Sequence, residues 1–238
     1  MVTAQGPRRD GTCFFEADPS LSLAQRAGAE AIGTFLLVFT VMASGLAQSG
    51  TAAAAPAARG LAIGPALTAL ILVFGQVSGG HYNPLISLSQ WMTGRRNGAC
   101  LAAYVGAQVA GAVLAARLAV LAFGPVAAAS AEPLDWTALL AAELFATAGL
   151  MTLVLGAPRM RPAGVGPFAV GGWVMMTVVG LPAAPAANPA ITAAALAAGL
   201  APSPAVAGAH LAAEAVGLAL ALLAAALIAQ PGTERHAG

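Results

Sequence analysis

The chain has 238 residues, of which 59% are hydrophobic and only 8% are charged, and its formal net charge is +1. This composition is too apolar for an ordinary soluble domain and indicates a protein that crosses a lipid bilayer several times. The balanced charge, without a prominent basic cluster, gives no indication of nucleic-acid binding.

The first half of the chain contains three predicted spans and one shorter apolar segment. A bilayer core of roughly 30 Å requires about 20 apolar residues per helix, so the chain can hold about six spans and no separate soluble domain. The apolar stretch after Asn83 is only about nine residues long, so it must enter the membrane and return on the same side. The first three spans are expected at residues 27–47, 61–77 and 100–123.

The first apolar run is predicted to be a retained span and not a cleaved signal peptide. It begins late in the chain, it is long enough to cross the bilayer, and it carries Glu30, which has a counterpart in the second half. We therefore expect a polar tail at 1–26 followed by the first span.

The second half of the chain repeats this arrangement. A second short segment begins at Asn188, and in both short segments Asn is followed directly by Pro, as Asn83-Pro84 and Asn188-Pro189. The Asn amide can cap free backbone N–H groups and Pro suits the first helical position, so each pair predicts the start of a short helix. Spans four, five and six are expected at residues 139–155, 165–181 and 206–229.

The distribution of positive charge predicts the orientation. All ten basic residues are arginines, and only Arg59 and Arg117 lie away from the side that holds the two tails and the second and fourth inter-span loops. By the positive-inside tendency, both termini are predicted to be cytoplasmic. The all-arginine basicity and the heavy use of alanine suggest a bacterial inner membrane.

An internal repeat predicts the architecture. Glu30-Ala-Ile-Gly-Thr34 matches Glu143-Leu-Phe-Ala-Thr147, and the two Asn-Pro pairs follow in the same order. Because each repeat holds three spans, an odd number, the second copy must be inverted relative to the first. We expect an all-α membrane protein of six spans and two re-entrant half-helices, with a channel domain at 27–229, repeat one at 27–123, repeat two at 134–229 and a second tail at 230–238.

The third and sixth spans extend the repeat less clearly. Gly106-Ala-Gln108 is matched with Gly208-Ala-His210, which pairs Gln108 with His210. In this register Ala112 stands opposite Glu214, so Glu214 has no counterpart. It faces either a neighbouring subunit or the pore, and the sequence does not decide between them.

The inverted geometry predicts a polar path through the membrane. Non-helical backbone at membrane depth must be buried in protein or must line a water-filled cavity. Asn83 and Asn188 should meet at mid-membrane, each capping its own half-helix and offering a side-chain N–H to a passing solute. Because the positive ends of both half-helices converge there, the path should repel cations and favour small neutral solutes.

These motifs resemble a known family. Ser78-Gly-Gly-His-Tyr-Asn-Pro, the Glu30-x-x-Gly-Thr start of span one, Tyr104-Val-Gly-Ala-Gln108 and Asn188-Pro-Ala look like the major intrinsic proteins, the aquaporins and aquaglyceroporins. The resemblance covers about residues 27–229. It implies an hourglass fold, usually a homotetramer with one pore per subunit, and passive diffusion of water or small uncharged solutes, with no enzymatic activity and no cofactor. The pore motifs are then Asn83, Pro84, Leu85, Asn188, Pro189 and Ala190.

The predicted selectivity filter departs from the family pattern. Leu85 stands where the family usually has Ala and should add bulk beside the central constriction. Ile191 stands where water-selective members have Arg. Matching the motifs gives a filter without an ionisable side chain, formed by Ile63, Val178, Pro185 and Ile191. We therefore expect a wider or more apolar channel that passes small uncharged solutes as well as or better than water.

Several other polar residues are predicted to lie inside the membrane. The resemblance implies that Glu30 and Glu143 accept hydrogen bonds from the backbone of the re-entrant loops. Gln108 and His210 are expected to pack helices through hydrogen bonds, and His81 is expected in the cytoplasmic vestibule.

A proton-coupled secondary transporter remains an alternative to a passive channel. Inverted repeats with broken helices also build such transporters, and buried glutamates could carry protons. Dependence of uptake on a proton gradient would separate the two. An enzyme or a metal protein is not indicated, because the sequence has neither metal-ligand spacing nor a phosphate-binding loop.

Overall fold

The computed structural model describes residues 20–46, 55–124, 135–157, 164–181, 183, 185–199 and 203–228, and regular structure in these ranges is helical. The tail expected at 230–238 and residues 1–19 of the tail expected at 1–26 lie outside the described residues. The helices are α1 Leu23–Leu46, α2 Ala55–Ser78, α3 Pro84–Met92, α4 Gly98–Phe123, α5 Trp136–Gly156, α6 Val165–Gly180, α7 Pro189–Ala197 and α8 Pro204–Ile228.

Six long helices and two short ones appear in the predicted order. Helices α1, α2, α4, α5 and α8 are long and apolar enough to cross a membrane. Helix α6 has 16 residues, which at 1.5 Å per residue is about 24 Å and slightly shorter than a bilayer core. Helices α1 and α2 begin four and six residues earlier than predicted, because their first turns contain Ala, Gln and Arg, which favour helix but do not raise hydropathy.

Helix packing follows the internal repeat. Helix α1 packs on α4 as α5 packs on α8, and α1 contacts α2 as α5 contacts α6. Each short helix packs against the last helix of the other repeat, α7 on α4 and α3 on α8. Contacts between α2 and α6 and between α3 and α7 also join the two repeats. Exchanging the two repeats therefore leaves the set of contacts unchanged, as an approximate two-fold relation requires.

Glycines at the helix crossings correct one predicted register. Gly111 in α4 lies directly against the backbone carbonyl of Ala31 in α1, and a Cβ at Gly217 in α8 would lie 3.0 Å from the carbonyl oxygen of Leu144 in α5. Ala31 and Leu144 each follow the glutamate that anchors its repeat, so Gly111 and Gly217 are equivalent.

The predicted pairing of Gln108 with His210 and of Ala112 with Glu214 is therefore wrong by four residues. Counting three residues back from each of these glycines pairs Gln108 with Glu214, and Tyr104 then pairs with His210. The matched Gly-Ala dipeptides misled the sequence comparison, because such matches are frequent in helices this rich in glycine and alanine.

Candidate functional site

The two short helices begin at their Asn-Pro pairs. Asn83 and Asn188 have extended backbone conformations, and each is the N-cap of the helix that follows. The Asn83 Oδ1 atom accepts a hydrogen bond from the Leu85 N–H at 2.9 Å, and the Asn188 Oδ1 atom accepts one from the Ala190 N–H at 3.0 Å. Proline follows at a position where the helix needs no N–H donor, so the local sequence determines where each half-helix starts.

The same two asparagines join the loops tip to tip. The Asn83 Nδ2 atom donates to the Ala187 carbonyl at 2.8 Å, and the Asn188 Nδ2 atom donates to the Tyr82 carbonyl at 2.9 Å. Each asparagine thus uses its oxygen to cap its own helix and one amide hydrogen to hold the opposite loop. The second amide hydrogen of each asparagine has no acceptor among the described residues.

The residue before each asparagine has a left-handed backbone. Tyr82 has φ 48° and Ala187 has φ 46°, a conformation that costs roughly 1–3 kcal/mol for a residue other than glycine. The Tyr82 N–H donates to Glu30 Oε2 at 2.7 Å and the Ala187 N–H donates to Glu143 Oε2 at 2.9 Å. A glutamate on one side and an asparagine on the other therefore hold each strained residue at both its N–H and its carbonyl.

Glu30 is the centre of the network in repeat one. Its side chain is fully buried, and its Oε1 atom accepts hydrogen bonds from the Ser78 hydroxyl at 2.6 Å and the His81 N–H at 2.9 Å. Its Oε2 atom accepts the Tyr82 N–H and the Gln108 amide, each at 2.7 Å. Contact with the loop backbone is the arrangement that the family resemblance implied for this residue.

Glu143 occupies the equivalent position in repeat two. Its two oxygens accept the Ala186 N–H at 2.7 Å and the Ala187 N–H at 2.9 Å. The His210 Nδ1 atom lies 2.5 Å from Glu143 Oε1. Glu214, which the sequence could not place, is fully buried, and its Oε1 atom accepts the Asn188 N–H at 2.8 Å. Two glutamates in this repeat therefore hold three consecutive backbone N–H groups of the re-entrant loop.

A narrow cavity of about 40 Å³ runs beside the two asparagines. One ordered water needs roughly 10–15 Å³ on this measure, so the cavity holds about three waters. Pairs of equivalent residues line it, namely Leu37 with Leu150, Ile63 with Val170, Leu67 with Val174, Asn83 with Asn188 and Ile86 with Ile191. Its walls are mostly apolar, and its polar groups are concentrated at the loop tips.

Three of the four predicted filter residues line the cavity. Ile63, Pro185 and Ile191 are among its lining residues, as is Thr177, whereas its neighbour Val178 is not. The segment from Gly171 to Asn188 is two residues shorter than that from Gly64 to Asn83, so motif matching is weakest at this position. Because Val178 and Ile63 both belong to the core cluster, the choice between Thr177 and Val178 as the filter residue stays a prediction.

The added bulk expected from Leu85 is not beside the pore. Leu85 is 6% exposed and belongs to the hydrophobic core, and its equivalent Ala190 is also buried. Ile86 and Ile191, one residue further along each half-helix, line the cavity instead.

His81 lines the cavity, whereas Gln108 and His210 do not. The His81 Nδ1 atom is 3.0 Å from the Ser87 hydroxyl, and its ring packs edge-on against Tyr104 with centroids 5.2 Å apart. The Nε2 atom is buried and has no hydrogen-bond partner among the described residues.

Sequence reasoning missed Trp173 as a pore residue. Its ring lines the cavity, and its Nε1 atom donates to the Ala146 carbonyl at 2.9 Å. Gly149 on α5 makes room for the ring, because a Cβ there would overlap the indole. Nothing in the spacing of the chain points to this pair, since the contact joins two different helices.

Comparisons with known proteins agree with this geometry. The family model described as Major intrinsic protein matches residues 19–199. The chain is 36% identical over 173 residues to the aquaglyceroporin AqpS of Rhizobium meliloti (strain 1021), covering 71% of this chain and 74% of that relative. It is 28% identical over 188 residues to aquaporin Z of Photorhabdus laumondii, covering 70% of this chain and 79% of the relative.

A solved structure has the same fold. The X-ray structure of the aquaglyceroporin from Plasmodium falciparum superposes with a TM-score of 0.69 at 18% identity, covering 87% of this chain and 98% of the other. The predicted aquaporin-like fold is therefore confirmed, and the chain belongs to the major intrinsic protein family.

Proposed function

We propose that this protein is a passive channel that conducts small uncharged solutes, of the glycerol, urea or metalloid-hydroxide type, as well as or better than water. Membership of the major intrinsic protein family supports a channel for water or small solutes. The observation that carries the solute preference is that the cavity-lining residues we assign to the filter, Ile63, Thr177, Pro185 and Ile191, have no ionisable side chain.

The energetics of such a filter reduce the advantage of water over larger uncharged solutes. Water that enters an apolar constriction gives up hydrogen bonds, each costing up to several kcal/mol if it is not replaced. The Thr177 hydroxyl donates to the Val174 carbonyl of its own helix at 3.0 Å, so it offers a solute an acceptor and not a donor. A larger solute makes more van der Waals contact with Ile63 and Ile191 while its hydroxyl or amide groups use the few polar positions.

The same site explains why ions should be excluded. The N-termini of α3 and α7 point at the cavity from opposite sides and carry partial positive charge. Cations, including hydronium, would lose their hydration in an apolar tube and meet this positive field. We therefore expect neutral solutes to pass and protons not to pass.

Stopped-flow light scattering of proteoliposomes tests the solute preference directly. The wild type should show glycerol, urea or metalloid-hydroxide flux at least comparable to its water flux. Ile191→Arg should suppress the larger solutes first, because it narrows the filter and adds a charge. Ile191→Leu, which keeps the volume and adds no charge, is the matched control and should retain the flux of larger solutes. Rapid water flux without flux of any of these solutes would refute the preference.

A proton-coupled transporter is disfavoured by the position of the carboxylates. Glu30, Glu143 and Glu214 do not line the cavity, and each accepts a loop N–H. The discriminating measurement is solute uptake with an imposed proton gradient. A channel equilibrates the solute at the same final level with or without the gradient, whereas accumulation above equilibrium would support the transporter.

We also infer a homotetramer with one pore per subunit, in a bacterial inner membrane with cytoplasmic termini. Large apolar side chains such as Leu61, Leu121 and Phe168 are more than half exposed on the outer faces of α2, α4 and α6, so they require lipid or a neighbouring subunit. Native mass measurement of the purified protein and reporter fusions at each terminus test these two inferences separately.

A further inference from the structure

Glu214 and Gln108 occupy equivalent positions in the two repeats. Glu214 lies three residues before Gly217, and Gln108 lies three residues before Gly111. Each glycine packs against the backbone carbonyl of the residue that follows the buried glutamate of its repeat. Both side chains are fully buried. The hydrogen bonds of Gln108 and Glu214 can therefore be compared directly, because each side chain lies at the same position of its repeat.

In repeat one this position holds a neutral hydrogen-bond donor. The Gln108 Nε2 atom donates to Glu30 Oε2 at 2.7 Å and to the Ser87 hydroxyl at 3.0 Å. The amide therefore adds a donor to a buried carboxylate without adding charge. A buried carboxylate is stable only when such donors replace the water that it has lost.

In repeat two the same position holds a second carboxyl group. Glu214 Oε1 accepts the Asn188 N–H, but Glu214 Oε2 is buried and has no hydrogen-bond partner in the part of the chain that the structure describes. The carboxyl groups of Glu143 and Glu214 accept the N–H groups of the consecutive residues Ala187 and Asn188, so the two would repel each other if both were charged.

Among the described residues, the elements packed around Glu214 contribute one basic side chain, so at most one of the two carboxylate charges could be paired. Helix α8 contributes His210 and α5 contributes Glu143, whereas α3, α7 and the described residues between α6 and α7 contribute no titratable side chain. His210 already pairs with Glu143 Oε1. A charged Glu214 would therefore be a buried charge without a partner, which is costly inside a membrane protein.

We propose that Glu214 is held as a neutral carboxylic acid, uncharged like its counterpart Gln108, and that it positions Asn188 beside the cavity. Its Oε1 atom accepts the Asn188 N–H, and its Oε2 atom carries the proton. Two carboxyl groups that share a buried site commonly behave in this way, with one of them retaining its proton. Glu214 acts through Asn188 and is a positioning residue.

This assignment predicts that stability falls progressively as the pH rises and that flux is lost at alkaline pH. The folded state keeps a proton that the unfolded chain releases at mildly acidic pH, so stability falls as the pH rises above that point. When Glu214 finally loses the proton, repulsion from Glu143 should displace the loop and weaken the bond between Asn188 and the Tyr82 carbonyl. Of the measurements described next, only solute flux depends on the proposed channel function, whereas the infrared spectra and thermal unfolding do not.

The test compares the wild-type protein with Glu214→Gln, in which a neutral amide replaces the acid, and with Gln108→Glu, which creates the same pair of carboxyl groups in repeat one. Infrared difference spectra between wild type and Glu214→Gln at neutral pH should contain the carbonyl stretch of a protonated carboxylic acid. Thermal unfolding in detergent and solute flux in proteoliposomes are then measured from about pH 5 to about pH 9, the range in which buried glutamates are known to titrate.

The thermal midpoint of the wild type should fall by several degrees as the pH rises through this range, and most of its flux should be lost across the alkaline half. In Glu214→Gln the ratio of alkaline to neutral flux should rise towards one, and Gln108→Glu should show a steeper alkaline loss than the wild type. An infrared difference without the protonated-acid band, or a Glu214→Gln variant that keeps the full alkaline loss, would overturn the assignment. Because His210 is unchanged in that variant, any dependence due to histidine alone would survive in it.

Discussion

The tip-to-tip bonds between the loops predict that Asn83 contributes more to stability than an ordinary helix cap. Replacing Asn83 with alanine removes the cap on the Leu85 N–H and also the donor to the Ala187 carbonyl. Loss of a cap costs about 0.5–2 kcal/mol, and a buried carbonyl left without a partner costs about 1–3 kcal/mol. The sum is about 1.5–5 kcal/mol, which at about 2–4 °C per kcal/mol lowers the thermal midpoint of a protein of this size by about 3–20 °C.

The matched control lies at the start of another helix. Asn97 caps α4 by accepting the Cys100 N–H at 2.8 Å, and its Nδ2 atom has no role in joining the loops. Asn97→Ala should therefore cost only the cap, about 0.5–2 kcal/mol. Asn188→Ala should resemble Asn83→Ala, because Asn188 makes the equivalent pair of bonds.

Thermal unfolding of purified protein in detergent, followed by intrinsic fluorescence, measures these differences. Asn83→Asp separates the two contributions, since its carboxylate can still cap the helix but cannot donate to the Ala187 carbonyl. If Asn83→Ala is no less stable than Asn97→Ala, the cross-link between the loops contributes little and the reasoning is refuted.

Three further predictions follow from the cavity and the buried network. Gly149→Ala should force the Trp173 ring into the lumen at a cost of about 1–3 kcal/mol and reduce the flux of every solute, which stopped-flow scattering measures. Thr177→Val should slow the passage of solutes that need a hydrogen-bond acceptor in the filter. Val178→Ala should leave selectivity unchanged, because Thr177 lines the cavity and Val178 does not. Glu30→Gln should lower the thermal midpoint by several degrees, because an amide has one acceptor oxygen where the carboxylate accepts four hydrogen bonds.

Hydropathy and the Asn-Pro pairs were sufficient to predict the helices and their order. Long apolar runs have few alternatives in a membrane, where backbone groups must be satisfied within the helix. The two short segments were equally constrained, because neither is long enough to cross. The meeting of Asn83 and Asn188 then followed from the odd number of spans in each repeat.

Side-chain register was harder to predict, for a physical reason. A shift of four residues turns a helix by about 400°, close to one full turn, so the wrong pairing of Gln108 with His210 leaves each side chain near its correct face. Hydrophobic pattern cannot detect such an error. The close approach of Gly111 and Gly217 to a neighbouring backbone detects it, but that contact is visible only once the helices are packed. A shift of one residue is the opposite case, because it turns a side chain by about 100° and so to another face of the helix.

The two repeats hold the same loop geometry with side chains of different chemistry. Glu30 receives its hydrogen bonds from a hydroxyl, an amide and backbone N–H groups, none of which titrates near neutral pH. Glu143 instead lies between an imidazole and a second carboxyl group, those of His210 and Glu214. Ionisation of Glu214 should therefore alter the support of the second loop without a matching change at the first, where the equivalent residue is the amide Gln108. Since the second loop precedes the half-helix that carries Ile191, such a change should affect the filter as well as the central asparagines.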